Sequence, residues 1–335
     1  MSNKNFITAV LTITLAASQA LAQSAWTTGR NSVENYPSVE ALTNDINTLC
    51  SRENAEAGRD AFGMTANAAF IGSRMADAEL MPLIGKSYIQ SFTTPGGKKG
   101  CNVIGMLEGF RRTGPKRYIV VGAHYDNLGI INGSFYPGAD SNASGVAALL
   151  EIANSFRQQR TNFQLYGGNI VFVAFDRFMD GRAGSQALWD AMFNGNIIDP
   201  VSHTAITPNR VIAMVDLDQI GCTLIPVKKD VENYIIAIGE KSLPESKKGV
   251  LAKCNDFYEC GLEISDTYYG SERFTKSFYT LGDRRVFINE GIPAMFFTSG
   301  ITDNNNRVSD TPETINAEVL RKRAILIFRF IEKLF

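Results

Sequence analysis

The chain has only two histidines among its 335 residues, so any imidazole chemistry rests on His124 or His203. His124 opens the phrase His124-Tyr125-Asp126, directly after the apolar run Tyr118 to Ala123. An imidazole with a carboxylate two residues on can bind a metal through one ring nitrogen and give its other N–H to an acceptor that fixes the tautomer. Asp140 follows in Pro137-Gly138-Ala139-Asp140-Ser141-Asn142, just before a helical pattern, where it suits a ligand or a helix cap equally. Asp218 ends a second apolar run, Val211 to Leu217. His203 comes after Asp199-Pro200 in a turn-rich stretch and is expected at the surface or bonded locally.

These residues need a scaffold to bring them together. Runs rich in Val, Ile, Phe and Ala predict strands over Ser87 to Phe92, Asn102 to Leu107, Tyr118 to Ala123, Asn169 to Phe175 and Val211 to Leu217. Shorter strands are expected over Ile235 to Ile238 and Ala294 to Thr298. Between them, helical patterns cover Ser144 to Phe156, Gly184 to Phe193 and Ala317 to Phe335, and another runs from Val39 to Met81 with a break near Gly58. This alternation predicts an α/β fold, a three-layer sandwich around a central mixed, mostly parallel sheet. Ligands of such sheets bind beyond the carboxyl ends of the strands, which is where His124, Asp176 and Asp218 fall. In the last helix Arg321, Lys322, Arg323 and Lys333 are expected to form a solvated face.

Composition sets outer bounds. With 33 basic against 34 acidic residues the net charge is -1, which offers no electrostatic footprint for nucleic acid or an anionic membrane. Lys4, the apolar stretch Phe6 to Ala17 and Ala20-Leu21-Ala22 before Gln23 have the layout of a secretory signal peptide over residues 1–22. The mature chain, 23–335, is then one α/β domain in a periplasm or outside the cell, with 23–85 as a helical part packed on it. No membrane span is expected, since no stretch is long and apolar enough. An oxidising compartment allows a Cys254–Cys260 disulfide, those two lying in a polar, loop-like stretch. No C-x-x-C pair is present, which disfavours a cysteine zinc site.

Gly122-Ala123-His124-Tyr125-Asp126-Asn127-Leu128-Gly129, followed by Pro137-Gly138-Ala139-Asp140-Ser141-Asn142-Ala143-Ser144-Gly145, resembles the co-catalytic zinc aminopeptidases, a family that includes the glutaminyl cyclases. The resemblance runs from about Arg59 to the C-terminus and extends to Val215-Asp216-Leu217-Asp218 and Ser309-Asp310-Thr311-Pro312. It implies two zinc ions bridged by Asp140, one of them also held by His124 and Asp218, with Asp126 orienting His124. The second zinc takes a Glu and another His, and a Glu just before the ligand Glu is the general base. Anchored on Gly181 and Gly184-Ser185, those two Glu positions are Phe178 and Met179 here, and the second His position is Asn306. The phrase before the last strand is also altered, to Gly282-Asp283-Arg284.

The retained set His124, Asp140 and Asp218 makes one zinc at most the expected cofactor, three N/O ligands being a normal catalytic shell. Without a metal these residues would simply hydrogen-bond one another. Phe178 cannot accept a proton and Met179 is too soft a donor to replace a carboxylate. A glutaminyl cyclase zinc uses the Asp, the Glu and the second His, of which only Asp140 remains. The leading expectation is therefore a catalytically impaired homologue whose apolar cleft binds a peptide or small ligand. The alternative is an active one-metal exopeptidase in which Asp176, Asp180 or Glu151 acts as base, and a third is an exported interaction domain with nothing in the cleft.

Overall fold

The computed structural model describes residues 36–110, 114–161 and 167–335. The expected signal peptide lies outside the described residues. Eleven strands occur among them: β1 (Met81–Pro82), β2 (Ile89–Thr93), β3 (Lys99–Leu107), β4 (Tyr118–His124), β5 (Gly129–Ile131), β6 (Ser134–Tyr136), β7 (Asn169–Phe175), β8 (Val211–Leu217), β9 (Tyr234–Ile238), β10 (Glu263–Ser265) and β11 (Ala294–Thr298). Nine of them form one sheet in the order β1-β3-β7-β4-β8-β11-β9-β10, with β2 also paired to β3. The strands β7, β4, β8 and β11 run parallel to their neighbours in that series. The pairs β1–β3, β2–β3, β3–β7 and β11–β9 are antiparallel, so the sheet is mixed and its parallel character is greatest at the centre. A short turn joins β2 to β3, and only antiparallel strands can be connected that tightly.

Side chains alternate across the sheet, as the two-residue repeat of a strand requires. Ile119 and Val121 face a core shared with Leu42, Ile46, Ile71, Leu149, Phe156 and Phe328. Tyr118 and Val120 face the other core, with Leu188, Trp189, Met192 and Phe287. The first face is covered by helices Val39–Leu49, Ala66–Asp77, Ser144–Thr161 and Ala317–Leu334, and the second by Ala183–Phe193 and Arg285–Asn289. Each apolar side chain so buried contributes about 1.5–3 kcal/mol. Between the two long helices, Phe156 meets Phe328 edge to face at 4.6 Å.

Two expectations are corrected here. Arg323 is fully buried rather than solvated: it donates to the carbonyls of Tyr234, Ile220 and Cys222 and lies 4.8 Å from the Tyr234 ring. Carbonyl oxygens at the sheet edge, not water, solvate that cation. Cys254 and Cys260 are free thiols, both buried. Cys254 sits inside helix Val250–Phe257, and Asn255 closes the following turn by bonding both backbone groups of Leu262.

Candidate active-site cleft

A cavity of about 180 Å³ opens at the carboxyl ends of the central strands, and His124, Asp126, Phe178, Met179, Asp218 and Asn306 all line it. Asp140 does not line it, although Ser141 does. His124 is the last residue of β4 and pairs with Phe175 of β7, while Asp218 directly follows β8 on the other side. Parallel pairing therefore carries imidazole and carboxylate to the same edge. Asn142 fixes this edge by donating to the carbonyls of Leu217 (2.9 Å) and His124 (3.3 Å) and accepting from the N–H of Gln219 (2.9 Å) and Gly145 (3.2 Å).

His124 Nε2 is 3.5 Å from Asp218 Oδ1, an ion-pair distance without the alignment of a hydrogen bond, for that oxygen is buried and unpartnered. On the other side His124 Nδ1 is 3.2 Å from the Asp126 carbonyl and 3.7 Å from its carboxylate. Asp126 thus meets the imidazole mainly through its backbone, and its carboxylate instead accepts the Phe178 N–H at 3.0 Å. Burial alone would depress the imidazole's pKa, but the contact with Asp218 and then the charges of Asp126 and Asp283 raise it to about 9. Burial likewise acts to raise Asp218, yet His124 outweighs it and holds that carboxyl below its usual value.

Asp140 is more than a helix cap. Its Oδ1 accepts from the N–H of Gly221 (2.7 Å) and Cys222 (3.1 Å) and from the Ser144 hydroxyl (3.2 Å), while Oδ2 is buried with no partner. Burial raises its pKa against those donors. Arg323 holds the Gly221 segment in place through the flanking carbonyls, and Asp310 accepts the N–H groups of Asp140 (2.8 Å) and Ser141 (3.1 Å). Sequence reasoning gave no such roles to Asn142, Asp310 or Arg323. Asp310 carried a signal, since Ser309-Asp310-Thr311 was part of the resemblance.

Of the three positions expected to be replaced, Phe178 and Met179 give the cleft apolar surface and Asn306 an amide. Phe178 stacks on His124, ring centroids 4.1 Å apart and planes 17° from parallel, and Met179 is 61% exposed at the mouth. Asn306 lines the same cavity in a left-handed conformation, φ 57°. Asp176, Asp180 and Glu151, the substitute bases the sequence offered, are engaged elsewhere and none of the three lines the cavity. Asp176 is fully buried under Arg59, which grips it at 2.6 and 2.7 Å. Asp180 is tied to Lys98 and Arg177, and Glu151 is buried with Arg74 at 3.1 Å. His203 is exposed in a turn, its N–H on the Asp199 carbonyl.

The profile of peptidase family M28 matches residues 102–331, well over half of the chain. The chain belongs to peptidase family M28. A "Probable zinc metalloprotease" of Pyrenophora tritici-repentis is 32% identical over 110 residues, which are 32% of this chain and 21% of that protein. The M28 chain therefore spans about a fifth of the length of that curated relative. Among solved structures, the LapA aminopeptidase of Legionella pneumophila superposes with a TM-score of 0.62 at 18% identity, over 93% of this chain and 74% of its own. The glutaminyl cyclase of Porphyromonas gingivalis gives 0.58 at 16% identity, over 90% and 100%. At such identities these likenesses establish the fold alone.

Zinc is the metal named for the relative, and the donor chemistry of this M28 site suits one such ion. His124 offers a ring nitrogen, and Asp140 Oδ2 and Asp218 Oδ1 are buried carboxylate oxygens without hydrogen bonds. Their spacing falls short of a closed shell: among the described residues no group of three or more His, Cys, Asp or Glu is arranged to hold a metal. Met179 and Asn306, the positions expected to replace ligands of a second ion, offer a thioether and an amide, which are weak donors for zinc. Among the described residues no helix is long and apolar enough to cross a membrane.

Proposed function

We propose that this M28 protein is exported and uses the former active-site cleft to bind a peptide or small apolar ligand, with little or no hydrolysis of it. The observation that carries the reading is the Phe178 ring on His124, which puts an apolar face where a proton acceptor would be required. General-base help contributes about 10²–10⁴-fold to such reactions, and an aromatic ring supplies none of it. Engagement of Asp176, Asp180 and Glu151 with arginines or lysines removes the substitute bases the sequence offered. At most one zinc is expected, with His124, Asp140 and Asp218 holding it; when bound it would supply Lewis-acid polarisation of a carbonyl. Net charge of -1 supports a ligand other than nucleic acid.

The test is hydrolysis of a panel of aminoacyl anilides and dipeptides by the chain from Gln23 with added zinc, beside a His124→Ala variant. Turnover no greater than the variant's supports binding without catalysis. Zinc-dependent turnover that vanishes in the variant would replace this reading with that of an active one-metal exopeptidase.

A further inference from the structure

We infer that the cleft selects a ligand carrying a free carboxylate on a compact apolar body, and that Arg182 anchors the carboxylate. The inference rests on reading the cleft as a binding site. Arg182 follows Gly181 at the start of helix Ala183–Phe193, with its backbone in the left-handed region at φ 60°. A bulky residue seldom adopts that conformation, and here it directs a guanidinium into the cavity wall. The guanidinium carbon lies 4.9 Å from the centroid of the Phe178 ring. Its Nε–H is buried and has no acceptor.

The other charges of the cleft are matched. Asp126 and Asp218 flank His124, and Arg284 is held by Asp216 at 2.6 Å. Among the described residues Arg182 forms no ion pair; Asp218 feels its charge from within the same cavity but does not contact it, which leaves the guanidinium to a ligand. A planar guanidinium suits a carboxylate, which it can hold by two parallel hydrogen bonds.

The remaining wall sets the body of the ligand. Phe178, Met179, Phe278, Leu281, Phe296 and Ile301 make it mostly apolar. A cavity of about 150 Å³ admits benzene, so this one, at about 180 Å³, admits one ring or branched chain beside the carboxylate. Such a ligand is either a simple branched or aryl acid or an apolar amino acid. Asp218, which lines the same cavity beside His124, would share its negative charge with the ammonium of the latter.

Calorimetric titration of the chain from Gln23 with 4-methylpentanoate, 4-methylpentanamide, leucine and leucinamide separates these cases. Arg182→Gln and Arg182→Lys variants would run beside it, with their thermal midpoints measured to confirm folding. Each acid should bind at least tenfold more tightly than its amide. Arg182→Gln should erase that preference and Arg182→Lys retain part of it. Leucine tighter than 4-methylpentanoate assigns an amino acid as the ligand, and the reverse order assigns a simple acid. Amides that bind as well as acids, a preference that survives Arg182→Gln, or no binding by any of the four would each overturn the inference. Parallel turnover of leucine p-nitroanilide judges the proposed function separately, since hydrolysis would sink that reading while the acid-to-amide ratio still judges Arg182.

Discussion

The ring of Phe178 lies on the imidazole of His124, and the backbone N–H of Phe178 is fastened to the Asp126 carboxylate at 3.0 Å. The main chain at this position is thus held by the same phrase, His124-Tyr125-Asp126, that supplies the imidazole. If Phe178 stands at the general-base position that the resemblance implies, a carboxylate side chain placed there would enter the cleft beside His124.

Phe178→Glu should therefore raise zinc-dependent hydrolysis of leucine p-nitroanilide by about 10²-fold over the unmodified chain. That is the low end of general-base contributions, because the second metal shell stays incomplete. Initial rates at matched zinc, with a Phe178→Gln control, read the effect. An equal rise in the control would show that relief of the apolar stack, rather than proton transfer, was responsible.

Beneath the cleft, Asp216 and Arg284 form a buried ion pair at 2.6 Å, with side chains 3% and 1% exposed. Arg284 also donates to the carbonyls of Tyr279 and Phe278 at the end of helix Glu272–Tyr279 and lies 3.5 Å from the Phe296 ring. Arg284→Met leaves a buried carboxylate without its partner and should cost about 3–5 kcal/mol in urea unfolding. The double variant Asp216→Leu with Arg284→Met should recover part of that loss, the rest belonging to the two carbonyls left without a donor. Strictly additive losses would show that the pair is not coupled.

Much of this was legible in the sequence because the strands are nearly continuous apolar runs. Asn169–Phe175, Val211–Leu217 and Ala294–Thr298 are fully or almost fully buried, and two covered faces leave no alternation to misread. The hairpin β5–β6 was missed, although Asn132-Gly133 between its strands, at φ 50° and 80°, is a strong two-residue turn signal. Helix Glu272–Tyr279 buries none of its residues, so it has no core stripe to announce it. Residues lining the cleft were found through their neighbours in sequence. Arg182 in the cleft and the buried Arg323 behind it were not, because a charged residue beside other charged or polar residues looks solvated until tertiary structure supplies a partner or a cavity.

Asp283 gives a pH test. Neither of its oxygens has a hydrogen bond, and burial first, then the charge of Asp216, pushes its pKa up to about 8 from an ordinary 3.8. Between those values the unfolded chain has released this proton and the folded chain still holds it. A raised carboxyl therefore lends stability at low pH that is lost as pH rises from about 4 through about 8. Asp283→Asn removes that titration, so its stability relative to the unmodified chain should climb across this window and level off above it. Urea midpoints of both proteins at pH 4.5, 6, 7.5 and 9 measure the trend, and parallel pH profiles would refute it.

Metal stoichiometry tests the replaced ligand positions most directly. The proposed shell of His124, Asp140 and Asp218 has donors for one ion, and the thioether of Met179 and the amide of Asn306 are weak donors for a second. Equilibrium dialysis followed by elemental analysis should find no more than one zinc per chain, and none when His124 is replaced by Ala. Met179→Glu together with Asn306→His should raise the number toward two, with Asp140 shared between the ions. The main chain at Asn306 is already left-handed, at φ 57°, so the added imidazole has to be accommodated in that conformation. His tolerates it better than most residues, which makes the double variant a fair test. If the variant gains no second zinc while its thermal midpoint is unchanged, the loss of metal lies in the spacing of the cleft itself, and the two replaced side chains are not its cause.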